Sequence, residues 1–237
     1  GRQGRDVDCH ERAGPPRQLV ERMRDQLLAR AGLAEHEHSH GARGHAVQLG
    51  LGAATITRFC HGMLRMRTTA VEINPSVIGV CRAWFRLPED GAKLTVLEQD
   101  AAQFVADPAQ AGCAQVLCVD LYDHDAASPV LDSEAFYRDC WRTLDDGGVM
   151  TVNLFGRAAS YERSAQRMAA TFGNAQLWAL RPTREGNTIV LAAKGVTLPE
   201  RAVLAARAEN IETRFGLPAR KWLRMFRPIP SSSSAPL

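Results

Sequence analysis

A glycine turn held at a fixed distance from a later carboxylate constrains this chain more than any other feature. The short run Ala46-Val47-Gln48-Leu49 ends in Gly50-Leu51-Gly52 and passes through Ala53 into a helical pattern, Ile56 to Leu64. Glu72, in Val71-Glu72-Ile73-Asn74, follows Gly50 by 22 positions. Strand, glycine turn, helix and a second strand ending in an acid is the order of a nucleoside site in a wound α/β sheet. Glycines let backbone approach a ligand closely, and a carboxylate at the second strand end can accept two hydrogen bonds from a ribose diol. Taken singly, each part has a plainer reading: Gly-x-Gly suits any β–α turn, and Glu72 suits a solvated acid ahead of Asn74-Pro75. Together they imply a nucleoside-bearing ligand and leave the reaction open.

The rest of the chain alternates in the same way. Strand patterns fall near 45–50, 68–73, 93–98, 115–120, 148–153, 175–180 and 188–193. Helical patterns fall near 53–64, 75–86, 101–107, 133–144, 158–172 and 199–215. Such alternation predicts a doubly wound sheet with ligands at the carboxyl ends of its strands. Only Arg181 to Gly186 separate the last two strands, too few residues for a crossover helix, so an antiparallel hairpin is expected there. One antiparallel C-terminal edge strand distinguishes a class I methyltransferase-like sheet from a dinucleotide-binding one. Three regions follow: an N-terminal arm and helix with a His-rich loop (1–44), a catalytic domain (45–195), and a C-terminal helical extension with a flexible tail (196–237).

Composition narrows the class. With 237 residues and 45% hydrophobic content the chain can bury one sizeable core. The net charge is +3, and Lys occurs only at 93, 194 and 221. No basic run carries interleaved aromatics, so no nucleic-acid partner is expected. Six cysteines without a C-x-x-C pair read as buried small hydrophobes of a reducing compartment. No apolar run reaches about 18 residues, so no membrane span is expected, and the default is a cytoplasmic protein. His36, His38, His40 and His45 invite a metal reading, but no compact second cluster supports one, and no metal is expected. Trp84 and Phe85 read as core or dimer contacts.

Four strand ends carry chemistry: Gly50 and Gly52; Glu72; Asp100 in Gln99-Asp100-Ala101; and Asp120-Leu121-Tyr122-Asp123-His124-Asp125. Asp100 suits either an adenine amine or the N-cap of the helix that follows. The crowded carboxylates after 119 repel one another unless a cation, metal or amine lies between them, although Asp also favours plain turns.

These residues resemble, in order and spacing, the polyamine aminopropyltransferases, the spermidine and spermine synthases. Glu134-Ala135-Phe136-Tyr137-Arg138, Leu144-Asp145-Asp146-Gly147-Gly148, Asn153-Leu154-Phe155-Gly156, Gly186-Asn187-Thr188 and Arg214-Phe215-Gly216-Leu217-Pro218 add to the resemblance, which is closest to short bacterial spermidine-synthase-like proteins. It implies transfer of an aminopropyl group from decarboxylated S-adenosylmethionine to a small-molecule amine, with release of methylthioadenosine, by a homodimer. Carried over by position, Glu72 binds the ribose, Asp100 and Ala101 hold the adenine, and Gln48, Gly50, Gly52 and Ile73 complete the donor site. Asp120 serves as proton acceptor beside the donor, Asp123 seats the amine, and Tyr122 lines the acceptor pocket.

Three positions depart from the family. Ala53 stands where an Asp normally meets the aminopropyl amine. His124 follows Asp123 where the family has Pro. The first 44 residues contain no Tyr and show no β-hairpin pattern. Two other readings stay open on these grounds: an S-adenosylmethionine-dependent methyltransferase, and a non-catalytic nucleoside-binding relative.

Overall fold

The fold is described here from a computed structural model covering residues 44–122, 133–155, 158–183 and 186–230. The expected N-terminal helix, the loop carrying His36, His38 and His40, Asp123, His124 and the tail lie outside the described residues. Among the described residues eight strands form one sheet: β1 (His45–Leu49), β2 (Arg67–Glu72), β3 (Leu94–Glu98), β4 (Ala114–Val119), β5 (Leu144–Phe155), β6 (Leu177–Ala179), β7 (Asn187–Ala193) and β8 (Arg227–Pro228). Their order is β3-β2-β1-β4-β5-β7-β6-β8. The first five pair in parallel. The chain winds outward from β1 through β2 to β3, then returns to β4 on the other side of β1. The switch point therefore lies between β1 and β4, where a wound sheet opens a crevice at its carboxyl edge.

The helices are α1 (Thr55–Arg58), α2 (Pro75–Trp84), α3 (Ala101–Ala106), α4 (Glu134–Thr143), α5 (Ala158–Phe172), α6 (Arg201–Phe215) and α7 (Ala219–Met225). Local chemistry starts them. Asn74 accepts from Ser76 N at 2.9 Å, with Pro75 in the first turn. Asp100 accepts from Gln103 N at 2.9 Å, and Ser133 from Phe136 N at 3.3 Å. The segment expected as one helix over 53–64 is a single α-turn followed by a π-helical turn, Phe59–Met63, closed by Leu64 N donating to Phe59 O at 3.0 Å.

Both sheet faces are covered, which is why the central strands are apolar on both sides. On one face Val47, Leu49, Leu117, Val119, Met150 and Val152 pack with Phe104, Phe136, Tyr137, Met168 and Phe172. On the other, Ile56 and Cys60 pack on Ala46, Val116 and Cys118, while Cys81 and Leu87 pack on Ala70. Each fully buried Leu, Val or Ile contributes about 1.5–3 kcal/mol of burial free energy. The α6–α7 pair covers the C-terminal strands through Ala208, Ile211 and Trp222 against Leu180 and Ile189.

The expected hairpin is present: β7 runs antiparallel to both β5 and β6. It lies inside the sheet with all seven residues buried, and the outer edge is the two-residue antiparallel strand β8, paired with β6. Trp84 is 79% exposed, which removes the core reading of that residue. Among the described residues, Cys60, Cys81, Cys113, Cys118 and Cys140 form no disulfide and are at least partly buried. Among the described residues no helix is long and apolar enough to cross a membrane, and no group of three or more His, Cys, Asp or Glu could hold a metal.

Candidate active site

The carboxyl ends of β1, β2, β3 and β4 surround one cavity of about 550 Å³. Gly50, Gly52, Glu72, Ile73, Asp100, Ala101, Asp120 and Tyr122 all line it. Residues scattered over 73 sequence positions (50 to 122) thus reach a common space because the sheet order brings their strand ends side by side.

The turn after β1 is shaped by alternating positive backbone angles: φ is 83° at Gly50, 52° at Gly52 and 55° at Ala54. The two glycines serve different purposes. A Cβ on Gly50 would lie 2.2 Å from the carbonyl oxygen of Asp120, so this glycine allows contact with the neighbouring strand end. A Cβ on Gly52 would meet nothing within 4 Å, and this glycine opens the cavity wall. The backbone seals the crossing: Gly50 N donates to Val71 O at 2.8 Å, and Asp120 N to Leu49 O at 2.9 Å.

Glu72 is tied from two sides. Leu51 N donates to Oε2 at 2.9 Å and Asn74 N to Oε1 at 3.0 Å. Each carboxylate oxygen has a second lone pair, so the anchored group can still accept a vicinal diol. Asp100 caps α3 through Oδ1, and the residue also lines the cavity. Cys81 donates its Sγ proton to Gly52 O at 3.1 Å. Burial and then the Glu72 charge push its thiol up to about 11, so it acts here as a fixed donor to the turn.

Gln48 takes a different place from the one expected of it. It is buried and does not line the cavity. Its Nε2 donates to Gly50 O at 2.7 Å and Leu51 O at 3.2 Å, and its Oε1 accepts from Thr57 Oγ1 at 2.5 Å. On the pleat its side chain points to the face opposite Val47 and Leu49, where it braces the turn from behind. Ala53 is also buried and outside the cavity lining.

Asp120 is oriented by a group that sequence reasoning missed. Asn153 of β5 donates Nδ2 to Asp120 Oδ1 at 3.0 Å. Asn153 in turn accepts from Asn187 Nδ2 at 3.0 Å, and Asn187 also donates to the Tyr122 hydroxyl at 3.0 Å. Both asparagines are buried. Their signal was visible as polar residues within apolar strands, positions that normally require a partner.

This arrangement offers lone pairs for a nucleoside diol at Glu72, apolar wall at Ile73 and Ala101, and an oriented carboxylate at Asp120. Asp123 lies outside the described residues. No protein-family model matches the chain. A polyamine aminopropyltransferase of Chromobacterium violaceum is 33% identical over 175 residues, covering 73% of this chain and 66% of that protein. The chain thus spans slightly less than two thirds of that relative's length. Among solved structures, human methyltransferase-like protein 13 in complex with SAH superposes with a TM-score of 0.71 at 20% identity, covering 90% of this chain and 96% of the other. A probable spermidine synthase from Corynebacterium glutamicum gives a TM-score of 0.68 at 20% identity, covering 92% and 82%. These structural likenesses establish the class I methyltransferase-like fold.

Proposed function

We propose that this chain, a homologue of the polyamine aminopropyltransferases, moves an aminopropyl group from decarboxylated S-adenosylmethionine to an amine acceptor of the polyamine class. The observation that carries the reading is the meeting of Glu72, Asp100 and Asp120 in one cavity, with the Asp120 carboxylate held by an amide donor. Homology names the chemistry, and this geometry supplies the groups it needs.

Glu72 holds the ribose and Asp100 the adenine amine. Gly52 leaves room for the donor against the turn. The donor's sulfonium supplies an electrophilic carbon and a neutral thioether leaving group. The acceptor is protonated in water near neutral pH and must lose a proton before its lone pair can attack. Asp120 takes that proton, and the freed lone pair then forms the nitrogen–carbon bond. The carbon–sulfur bond breaks with its electron pair returning to sulfur, which yields methylthioadenosine. Alignment of nitrogen, carbon and sulfur is the protein's main contribution. The carboxylates also attract a polycation.

A methyltransferase is the second reading, favoured by Ala53. That side chain is buried and offers no carboxylate to the donor's aminopropyl amine. The deciding experiment measures methylthioadenosine release across a panel of amines, together with calorimetry of decarboxylated S-adenosylmethionine against S-adenosylmethionine. Amine-dependent release and preference for the decarboxylated donor are expected. Equal donor affinities with methyl transfer would establish the second reading instead.

Glu72→Gln tests the donor half. The amide keeps one acceptor oxygen, so a ribose hydroxyl or one of the two anchoring backbone N–H groups goes unpaired. Loss of one charge-assisted hydrogen bond costs about 1.5–3 kcal/mol, or roughly 10–150-fold in affinity. Calorimetric titration with methylthioadenosine should show a weakening of that order, and unchanged affinity would remove Glu72 from the ribose site.

A further inference from the structure

β7 brings to the site one side chain that the mechanism above does not use. Asn187 opens this strand opposite Phe155 of β5, and it is 1% exposed. Two hydrogen bonds leave it, Asn187 Nδ2 to Tyr122 OH and Asn187 Nδ2 to Asn153 Oδ1, and a third continues from Asn153 Nδ2 to Asp120 Oδ1, each at 3.0 Å. A primary amide has one donating end and one accepting end. Since Asn187 offers only its NH₂ group to Asn153, Asn153 must turn its oxygen toward Asn187 and its NH₂ toward Asp120. The reverse orientation would set an amide oxygen against a carboxylate oxygen. Asn187 Oδ1 is itself buried with no hydrogen-bond partner among the described residues. An unsatisfied buried acceptor costs about 1–3 kcal/mol, which an apolar residue would avoid.

We propose that Asn187 is a positioning residue that locks the Asn153 amide with its donor end on Asp120, keeping that carboxylate ionised and aimed into the cavity. The description of Asp120 as a base rests on the function proposed above; the orientation itself does not. A donor fixed on a carboxylate oxygen favours the charged form. Among the described residues, the other titratable groups lining the same cavity are Glu72 at the end of β2, Asp100 ahead of α3 and Tyr122 after β4. All three are retained when position 187 alone is changed.

The test is a carbon-13 titration of the Asp120 carboxylate in the full chain, its signal assigned by its loss in Asp120→Asn. Asn187→Leu keeps the branched shape and removes both donations. The Asp120 midpoint is expected to rise by roughly half to one pH unit. The melting temperature should change little, because the acceptor orphaned on Asn153 replaces the one removed at 187. Should the leucine variant fail to fold, Asn187→Ala repeats the measurement without added bulk and without a side-chain donor. An unmoved midpoint in a folded variant overturns the proposal. A midpoint that moves in a protein releasing no methylthioadenosine with any amine leaves the lock standing and refutes the proposed function. An active wild-type protein with an unmoved midpoint refutes the lock alone.

Discussion

Asp120→Asn is expected to lower kcat/KM for amine-dependent methylthioadenosine release by about 10²–10⁴-fold, the usual contribution of a positioned general base. Affinity for methylthioadenosine should stay unchanged, because the proposed nucleoside contacts, Glu72 and Asp100, lie at the ends of other strands. The substitution is nearly isosteric, and the new amide oxygen can still accept from Asn153 Nδ2. What it loses is the ability to take a proton. Steady-state kinetics across the amine panel and calorimetry on the same preparation separate the two effects. Near-normal turnover would show that another group accepts the proton, and parallel loss of nucleoside affinity would show a collapsed site.

Gly50→Ala is expected to be the most destabilising single methyl that this turn can receive. At φ 83° an L-residue is already disfavoured, and the added Cβ would lie 2.2 Å from the Asp120 carbonyl oxygen. The left-handed backbone costs about 1–2 kcal/mol, and pushing two strand ends apart costs about 1–3 kcal/mol more. A domain of this size should then melt roughly 5–15 °C lower. Gly52→Ala is the internal control: its φ is 52° but no atom lies within 4 Å of the new carbon. Only the backbone cost of about 1–2 kcal/mol applies there, and because Gly52 lines the cavity any further effect should be on donor affinity. Equal melting points for the two variants would contradict this division of labour.

Those two glycines show what a sequence can and cannot disclose. A Gly-x-Gly after a strand announces a turn with unusual backbone, and that much is local. Which glycine faces a ligand and which faces protein depends on β4, about 70 residues away, lying beside β1. Elements were legible for the same local reason. The periods of β1 to β5 and α2 to α5 are set by both faces of the sheet being covered, and boundaries moved by only a residue or two, except that β5 starts earlier, at Leu144. Strand order carries no such local mark, so the interior position of β7 appeared only when pairing was known. Gln48 illustrates a related limit. A polar residue two positions before a glycine turn suits a ligand contact or a buttress equally well, and the pleat decides. Asn153 and Asn187 were each conspicuous as polar residues in apolar strands. Their partnership required the β5–β7 register, which no spacing in the chain expresses.

The reversal of β7 has an architectural consequence. In an all-parallel sheet every strand delivers its last residue to the carboxyl rim, and a helix must intervene before the next can do so. An antiparallel strand delivers its first residue there instead, immediately after a short link. The rim beside Asp120 is therefore reached by Asn187, the first residue of β7, through Asn153. No helix is needed for this, and the half of the crevice built by Gly52, Glu72 and Asp100 rests on other strands. The two sides of the crevice are thereby carried on separately exchangeable parts of the fold.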